Sequence, residues 1–230
     1  MDINRDDFAL EQVGPTFSID AMRFAQQQSW AALAKIAAKI QPGMTEAVAR
    51  QCAKEILQQS GVDRLWHPVI IRFGVNTCKI YSEPSEKDTV LKENDIFFID
   101  LGPVYAGHEG DVGATFVVGQ DTKMQHCADA AQQLFERVRA RWLQQDCSGE
   151  QLYQFAGEQA QALGYQLNLA IKGHRICDYP HKLYAGGNLG DFSGTPRAGV
   201  WVLEIQIKDP IAAIGAFYED VLLPDMPNPG

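Results

Sequence analysis

The sequence predicts an α+β fold in which two helix pairs cover an antiparallel sheet. Helical and strand-like segments come in blocks, a helix pair then strands, twice over, with no repeated strand-helix-strand unit of the kind that builds a parallel sheet. No Ser/Gly-rich tract, charge run or low-complexity segment divides the 230 residues, and the two blocks point to a pseudo-two-fold relation between halves. One domain over residues 1–230 is expected, with 1–18 as an N-terminal extension and 224–230 as a C-terminal tail.

Each element has a local cause. From Ile19 to Ile40 apolar residues recur at helical spacing, and Gln41-Pro42-Gly43 cannot continue the helix. Thr45 then stands at an N-cap, Glu46 falls in the first turn, and Val48, Cys52 and Ile56 recur every fourth residue until Gly61. VIIRF (69–73), IFFID (96–100) and ATFVV (114–118) are short β-branched and aromatic runs, separated by Gly, Asn, Pro and charged segments, and read as strands. Two more helices are expected, roughly Thr122 to Leu143 and Ser148 to Leu163, the latter closed by Gly164. The strand-like runs WVLEIQI (201–207) and GAFYEDVLL (215–223) follow, and PDMPNPG reads as a frayed end.

Composition excludes several functions. With 46% hydrophobic and 21% charged residues the chain is an ordinary globular one rather than a disordered one. Twenty Lys+Arg against 29 Asp+Glu, with no basic block, argue against nucleic acid and against an anionic membrane surface as partners. The start MDINRDDFAL has no signal-peptide pattern and no apolar run is long enough to span a bilayer, so a cytoplasmic location is expected. Five scattered cysteines without a CxxC pair read as free thiols.

Four acidic residues stand where strands should be buried. Asp100 ends IFFID, Asp111 opens a strand after GHEG, Glu204 lies inside WVLEIQI and Glu219 lies between Phe217-Tyr218 and Val221-Leu222. A buried carboxylate must be protonated, paired or neutralised. Two unit charges about 4 Å apart repel by roughly 4 kcal/mol at an effective dielectric near 20. No Lys or Arg lies within the runs IFFID, WVLEIQI and GAFYEDVLL, so a divalent metal is the simplest neutraliser, and an oxygen-rich set with an imidazole suits Mn, Co, Fe or Zn. Strand alternation alone leaves Glu204 undecided, because Val202, Glu204, Gln206 and Lys208 form a respectable solvent face, and it does not choose between Glu219 and Asp220. His67, His108, His126, His174 and His181 are the imidazole candidates.

IDLGPVYAGHEGD (99–111), KGHRICDYPH (172–181), LEIQI (203–207) and FYEDVLL (217–223) resemble the pita-bread metallopeptidases, which include methionine aminopeptidase and Xaa-Pro aminopeptidase. The resemblance extends from about Ile19 and takes in QPGMTE and HPVIIRFGVNT. It implies a pita-bread fold with a curved antiparallel sheet, and two divalent ions, manganese first, held by Asp100, Asp111, His174, Glu204 and Glu219. It thereby selects Glu219 over Asp220. By the same likeness Asp100 binds one ion through both oxygens, Asp111 and Glu219 bridge, and His174 and Glu204 complete the second. The implied reaction is removal of an N-terminal residue by attack of a metal-bridging hydroxide, with Glu204 as general base, His181 on the substrate carbonyl, and Thr115 orienting a bridging carboxylate.

Three departures accompany the match. The family's further substrate-contacting His is replaced within Thr77-Cys78-Lys79-Ile80-Tyr81, which leaves His67 or His108 to fill its space. Arg175-Ile176-Cys177 replaces a glycine-rich turn after His174, and no N-terminal domain of the Xaa-Pro aminopeptidase type precedes the chain, which reads as a bare catalytic domain. The segments HPVIIRFG and GHEGD look nearer the Xaa-Pro branch, so an aminopeptidase of that preference is expected. The alternatives are a hydrolase of a small non-peptide amide or metabolite, and a non-catalytic binding protein on the same fold. Peptide or small amide is the expected partner, with a homodimer left open.

Overall fold

The structure is a computed structural model that describes residues 9–87 and 89–224. Its two helix pairs are α1 (Ile19–Ala37) with α2 (Glu46–Gln59), and α3 (Thr122–Gln144) with α4 (Gly149–Ala162). Its strands are β1 (Arg64–Leu65), β2 (Ile70–Phe73), β3 (Asp95–Leu101), β4 (Pro103–Tyr105), β5 (His108–Glu109), β6 (Val112–Val118), β7 (Gln166–Leu167), β8 (His174–Arg175), β9 (Trp201–Lys208) and β10 (Gly215–Val221). Seven strands form one sheet in the order β2-β3-β6-β10-β9-β7, with β8 also on β9, and β1-β4-β5 form a small second sheet. Every pairing is antiparallel. The first helix pair leads into β2, β3 and β6, the second into β7 to β10, and the halves meet where β6 pairs with β10.

Side-chain caps act at the helix ends, Thr45 as expected. Ser18, Thr45, Asp121 and Ser148 each cap a helix by accepting a backbone N–H, and Ser148 with Gln151 forms a full capping box. The first helix ends at Ala37 rather than Ile40, because the chain turns before Pro42. In α2 the buried row is Ala49, Ala53 and Leu57, one residue along from Val48, Cys52 and Ile56, and Val48 is exposed. Small side chains on that row let α2 pack closely beneath β2.

The core lies between the helices and the large sheet, with Leu33, Ile36, Phe73, Ile99, Leu134 and Trp201 almost fully enclosed. Each such side chain contributes about 1.5–3 kcal/mol by leaving water. Of the expected N-terminal extension, residues 10–17 are docked on this body rather than extending from it. Trp201 donates to Glu11 at 2.7 Å, Gly14 donates to Asp178 at 2.7 Å, and Leu10, Val13 and Phe17 pack against the core. The expected frayed end falls on residues 225–230, outside the described residues. All five cysteines are free, and no helix among the described residues is long and apolar enough to cross a membrane.

Candidate metal centre

One row of residues across the large sheet gathers the acidic side chains. Asp100 pairs with Gly113, Gly113 with Glu219, and Glu219 with Glu204. Neighbouring strands lie about 4.8 Å apart, so carboxylates in register on one face become neighbours. Core packing chooses the face. Phe97, Ile99 and Leu101 of β3, Ala216 and Tyr218 of β10, and Leu203, Ile205 and Ile207 of β9 enter the core, leaving Asp100, Glu219 and Glu204 opposite. Asp111 shares the side of Gly113, two residues on, and His174 pairs with Val202, two residues before Glu204. A Cβ at Gly113 would stand 2.5 Å from the Phe217 ring and 2.8 Å from Glu219 Oε1, so the middle of the row admits only glycine.

The two doubts of strand alternation resolve through burial. β9 is covered on both faces, and Glu204 is on the side that meets the cavity rather than bulk water. Asp220 turns the other way, toward α1, where Trp30 Nε1 donates to its Oδ2 at 2.7 Å.

Two groups of atoms close on one another: His67, Asp100 and Asp111 offer one set of ligand atoms within 4.8 Å, and Asp111, His174 and Glu219 another. His174 Nε2 lies 3.0 Å from Asp111 Oδ2. Burial and the neighbouring charges unbalance every titration here. Burial raises Asp100 to about 6 and Glu204 to about 7, against the pull of His67 and His174 respectively, and it drives Glu219 well above the ordinary carboxylate range, helped by Asp100. Burial acts upward on Asp111 too, but hydrogen bonds from His174 and His67 hold it below its usual value. His174 rises to about 10 although burial opposes it, because Asp111 and Glu204 favour its charged form. His174 keeps 27% of its side chain open, and that opening faces the cavity while protein surrounds the rest.

The donor set fits a divalent cation. Asp100 Oδ1 and Glu219 Oε1 are buried without a hydrogen-bond partner, which in a protein interior costs about 1–3 kcal/mol per neutral group and more for a charged one. Of the cations of the cavity wall, Lys172 is engaged with Asp191, Lys79 with the Pro84 carbonyl, and Arg175 with the carbonyls of Val200 and Gln12. Carboxylate oxygens and imidazole nitrogens without a thiolate suit Mn, Fe, Co or Zn. The cavity holds about 750 Å³, bounded by Trp66, Phe98, Phe217 and the polar row.

The other expected site residues divide. His181 lines the cavity, with Nδ1 at 2.7 Å from Glu109 Oε2. His67 also lines it, 3.4 Å from Asp100 and 3.5 Å from Asp111; burial acts to lower its pKa, but those two carboxylates lift it to about 9. His108 does not: its Nε2 accepts from Ser18 N at 3.0 Å and its Nδ1 faces the Ala106 carbonyl at 3.0 Å, so it ties the start of α1 to β5. Thr115 is engaged with backbone two residues from Glu219. Its hydroxyl donates to Phe217 O at 2.9 Å and accepts from Phe217 N at 2.7 Å, pinning β10 two residues before Glu219. Arg175 and Cys177 bring neither charge nor thiol into the cavity, because the guanidinium lies over Trp201 and the thiol faces the Asp178 carbonyl.

Three contributors escape sequence reading. Glu109, 1% exposed, accepts from His181 Nδ1, from His181 N at 3.0 Å and from Cys177 N at 3.3 Å. Tyr153 of α4 fills the gap between β7 and β8 along β9, donating to Glu204 O at 2.8 Å and accepting from Glu204 N at 3.2 Å. Trp66 presents edges to His67, His174 and His181 at ring separations of 4.3, 5.4 and 5.5 Å.

A family model described as metallopeptidase family M24 matches residues 20–222. A Mycoplasma genitalium protein named "Putative Xaa-Pro aminopeptidase" is 31% identical over 85 residues, 36% of this chain and 23% of that protein. Among solved structures, an X-Pro aminopeptidase from Thermotoga maritima superposes with a TM-score of 0.77 at 18% identity, covering 97% of this chain and 66% of that one. A methionine aminopeptidase from Thermotoga maritima gives 0.73 at 16% identity over 92% of this chain and 98% of that one. A prolidase from Pyrococcus horikoshii gives 0.73 at 17% identity over 94% and 61%. These structures share the expected antiparallel α+β fold, and the chain spans about a quarter of the curated relative and just under two thirds of the first structure.

Proposed function

The chain belongs to metallopeptidase family M24, and from that membership and the convergent carboxylates we propose that it is a dinuclear metal-dependent aminopeptidase. The observation that carries the reading is the register row Asp100, Gly113, Glu219, Glu204, which with Asp111 and His174 aims carboxylates and an imidazole into one cavity. In this reading Asp100, Asp111, His174, Glu204 and Glu219, which all line the cavity, would together hold the two ions. Two divalent ions bound there lower the pKa of a shared water toward neutral and polarise the scissile carbonyl. Glu204, whose carboxylate lines the cavity, is placed to take the water's proton and pass it to the leaving amine. His181, held at Nδ1 by Glu109, would hydrogen-bond the carbonyl oxygen as charge develops there. Trp66, Phe98 and Phe217 supply apolar wall for the substrate side chains.

The preference we propose is for Xaa-Pro peptides, supported by the HPVIIRFG and GHEGD segments and by the name of the Mycoplasma relative. Manganese is the first ion to test and a homodimer the first assembly. The small-amide reading draws on the cation and thiol beside His174, which turn toward Val200 and Asp178, and on the absent substrate-contacting His in 77–81, which remains its support. The test is mass spectrometry of products after Mn²⁺-loaded protein meets a mixed peptide set containing Xaa-Pro and Met-initiated members, beside a chelated control. Chelator-sensitive loss of one N-terminal residue is the expected result. Intact peptides with metal bound would refute the peptidase reading.

A further inference from the structure

We infer that His67 is itself a metal ligand, sharing one ion with Asp100 and Asp111, so that each ion of the pair carries one imidazole. The inference rests on the dinuclear reading above and extends its ligand set beyond the five residues found by likeness to the family.

The wiring of the ring is the first argument. His67 Nδ1 lies 2.8 Å from the Pro68 carbonyl, which can only accept, so Nδ1 bears the proton. In the neutral ring Nε2 then turns a lone pair toward Asp100 Oδ1 at 3.4 Å and Asp111 Oδ1 at 3.5 Å. Three electron-rich atoms facing one another call for a cation between them. An imidazolium paired with the acids is the competing account, and it leaves Asp100 Oδ1 buried without a hydrogen-bond partner. It also gives separations well beyond the ~2.7–2.9 Å of a charge-assisted hydrogen bond. Donor atoms bound at ~2.0–2.1 Å with a tetrahedral angle stand about 3.4 Å apart across an ion. That is the spacing found.

His174 is wired in the same way. Its Nδ1 faces the Arg175 carbonyl at 2.9 Å and its Nε2 faces Asp111 at 3.0 Å. Donation of the second ring N–H to a backbone carbonyl is the usual support of a ligating histidine. His181 differs, since its Nδ1 is spent on Glu109. The two similar imidazoles close opposite ends of the row: His67 precedes β2, whose Ile70 pairs with Asp100, and His174 in β8 adjoins Glu204 on β9.

The site also makes room for this ring. A Cβ on Gly102 would lie 2.1 Å from His67 Cδ2 and 2.3 Å from Nε2, so a glycine two residues after Asp100 is what lets the imidazole stand there. Trp66 braces it edge-on at 4.3 Å, and its own Nε1 donates to Gly110 O at 2.9 Å, beside Asp111.

The experiment compares chelator-stripped wild type with His67→Ala by calorimetric titration with Co²⁺, and counts imidazoles per ion by X-ray absorption on the cobalt-loaded proteins. The expected wild type binds two equivalents with an average of one imidazole per ion. His67→Ala should show one imidazole per two ions and weaken one equivalent by at least the ~10–100-fold typical of losing a ligand's outer support. Two equivalents sharing a single imidazole in the wild type would overturn the inference while leaving the dinuclear reading intact. A wild type that binds no metal would overturn that reading and this inference with it. The wild-type count alone decides if the variant does not fold.

Discussion

Replacing Glu109 by Gln tests how the cavity's third imidazole is held. The carboxylate accepts three N–H groups, His181 Nδ1 at 2.7 Å, His181 N at 3.0 Å and Cys177 N at 3.3 Å, and it is 1% exposed. The amide keeps one accepting oxygen and turns an NH₂ toward the remaining donors. Either a backbone N–H loses its partner, or the His181 ring exchanges its proton so that Nδ1 accepts. In the second case the proton sits on Nε2, and the ring loses the carboxylate that held and polarised it as a donor. Loss of one oxyanion donor costs about 10²–10³ in kcat, or about 2.7–4 kcal/mol, and this is the ceiling for Glu109→Gln if it acts through His181 alone. An unpartnered buried N–H adds a stability cost of about 1–3 kcal/mol. The assay is kcat and KM at equal metal loading, on the fastest-cleaved peptide of the mixed set, for Glu109→Gln, His181→Ala and the double variant. We expect a fall in kcat with little change in KM, and a double variant no slower than His181→Ala. Wild-type kcat in Glu109→Gln, or losses that multiply in the double variant, would refute the reasoning.

Glu204→Gln should lower turnover by at least the ~10²–10⁴ due to a general base while the fold survives, read by circular dichroism; wild-type-like turnover would remove Glu204 from the base role. Gly113→Ala should impair metal retention, since its Cβ would meet Glu219 Oε1 at 2.8 Å and the Phe217 ring at 2.5 Å; full metal content by elemental analysis would contradict the row geometry. Asp178 is held below its usual pKa: burial acts upward on it, but Thr16 and Gly14 hydrogen bonds outweigh that. A depressed carboxylate stabilises fully above its unfolded value near 4 and loses that contribution as pH falls through its lower folded value. Asp178→Asn should therefore cost about 1–3 kcal/mol in denaturant melts at pH 6 and much less at pH 3, and an equal cost at both would count against this anchor of the N-terminal segment.

Much of this architecture is readable in the chain because its signals are local. Thr45, Ser148 and Gly164 mark helix ends by capping and turn chemistry that needs no distant partner. The buried row of α2 was offset by one residue, because Ala49 and Ala53 pack against β2 without standing out as hydrophobic in the sequence. Strands β1, β4, β5, β7 and β8 are two or three residues long, too short to show a period. Alternation in β9 could not place Glu204, since it assumes one wet face and both faces of this strand are covered. Choosing Glu219 over Asp220 from spacing was likewise beyond reach, because the choice depends on Trp30, 190 residues away. Glu109 lay within the quoted GHEGD segment, yet its target is 72 residues on. His67 and His108 looked equivalent in sequence, and only the pairing of β2 with β3 separates them by carrying His67 to Asp100.

The central claim is that the row of carboxylates exists to hold two divalent ions. An anomalous difference map from crystals soaked in Mn²⁺ tests it most directly. Two peaks are predicted, one beside Asp100 and Asp111 and one beside His174 and Glu204, with Asp111 and Glu219 between them. A map with no peak among these residues, or with manganese bound only elsewhere on the surface, would contradict the account.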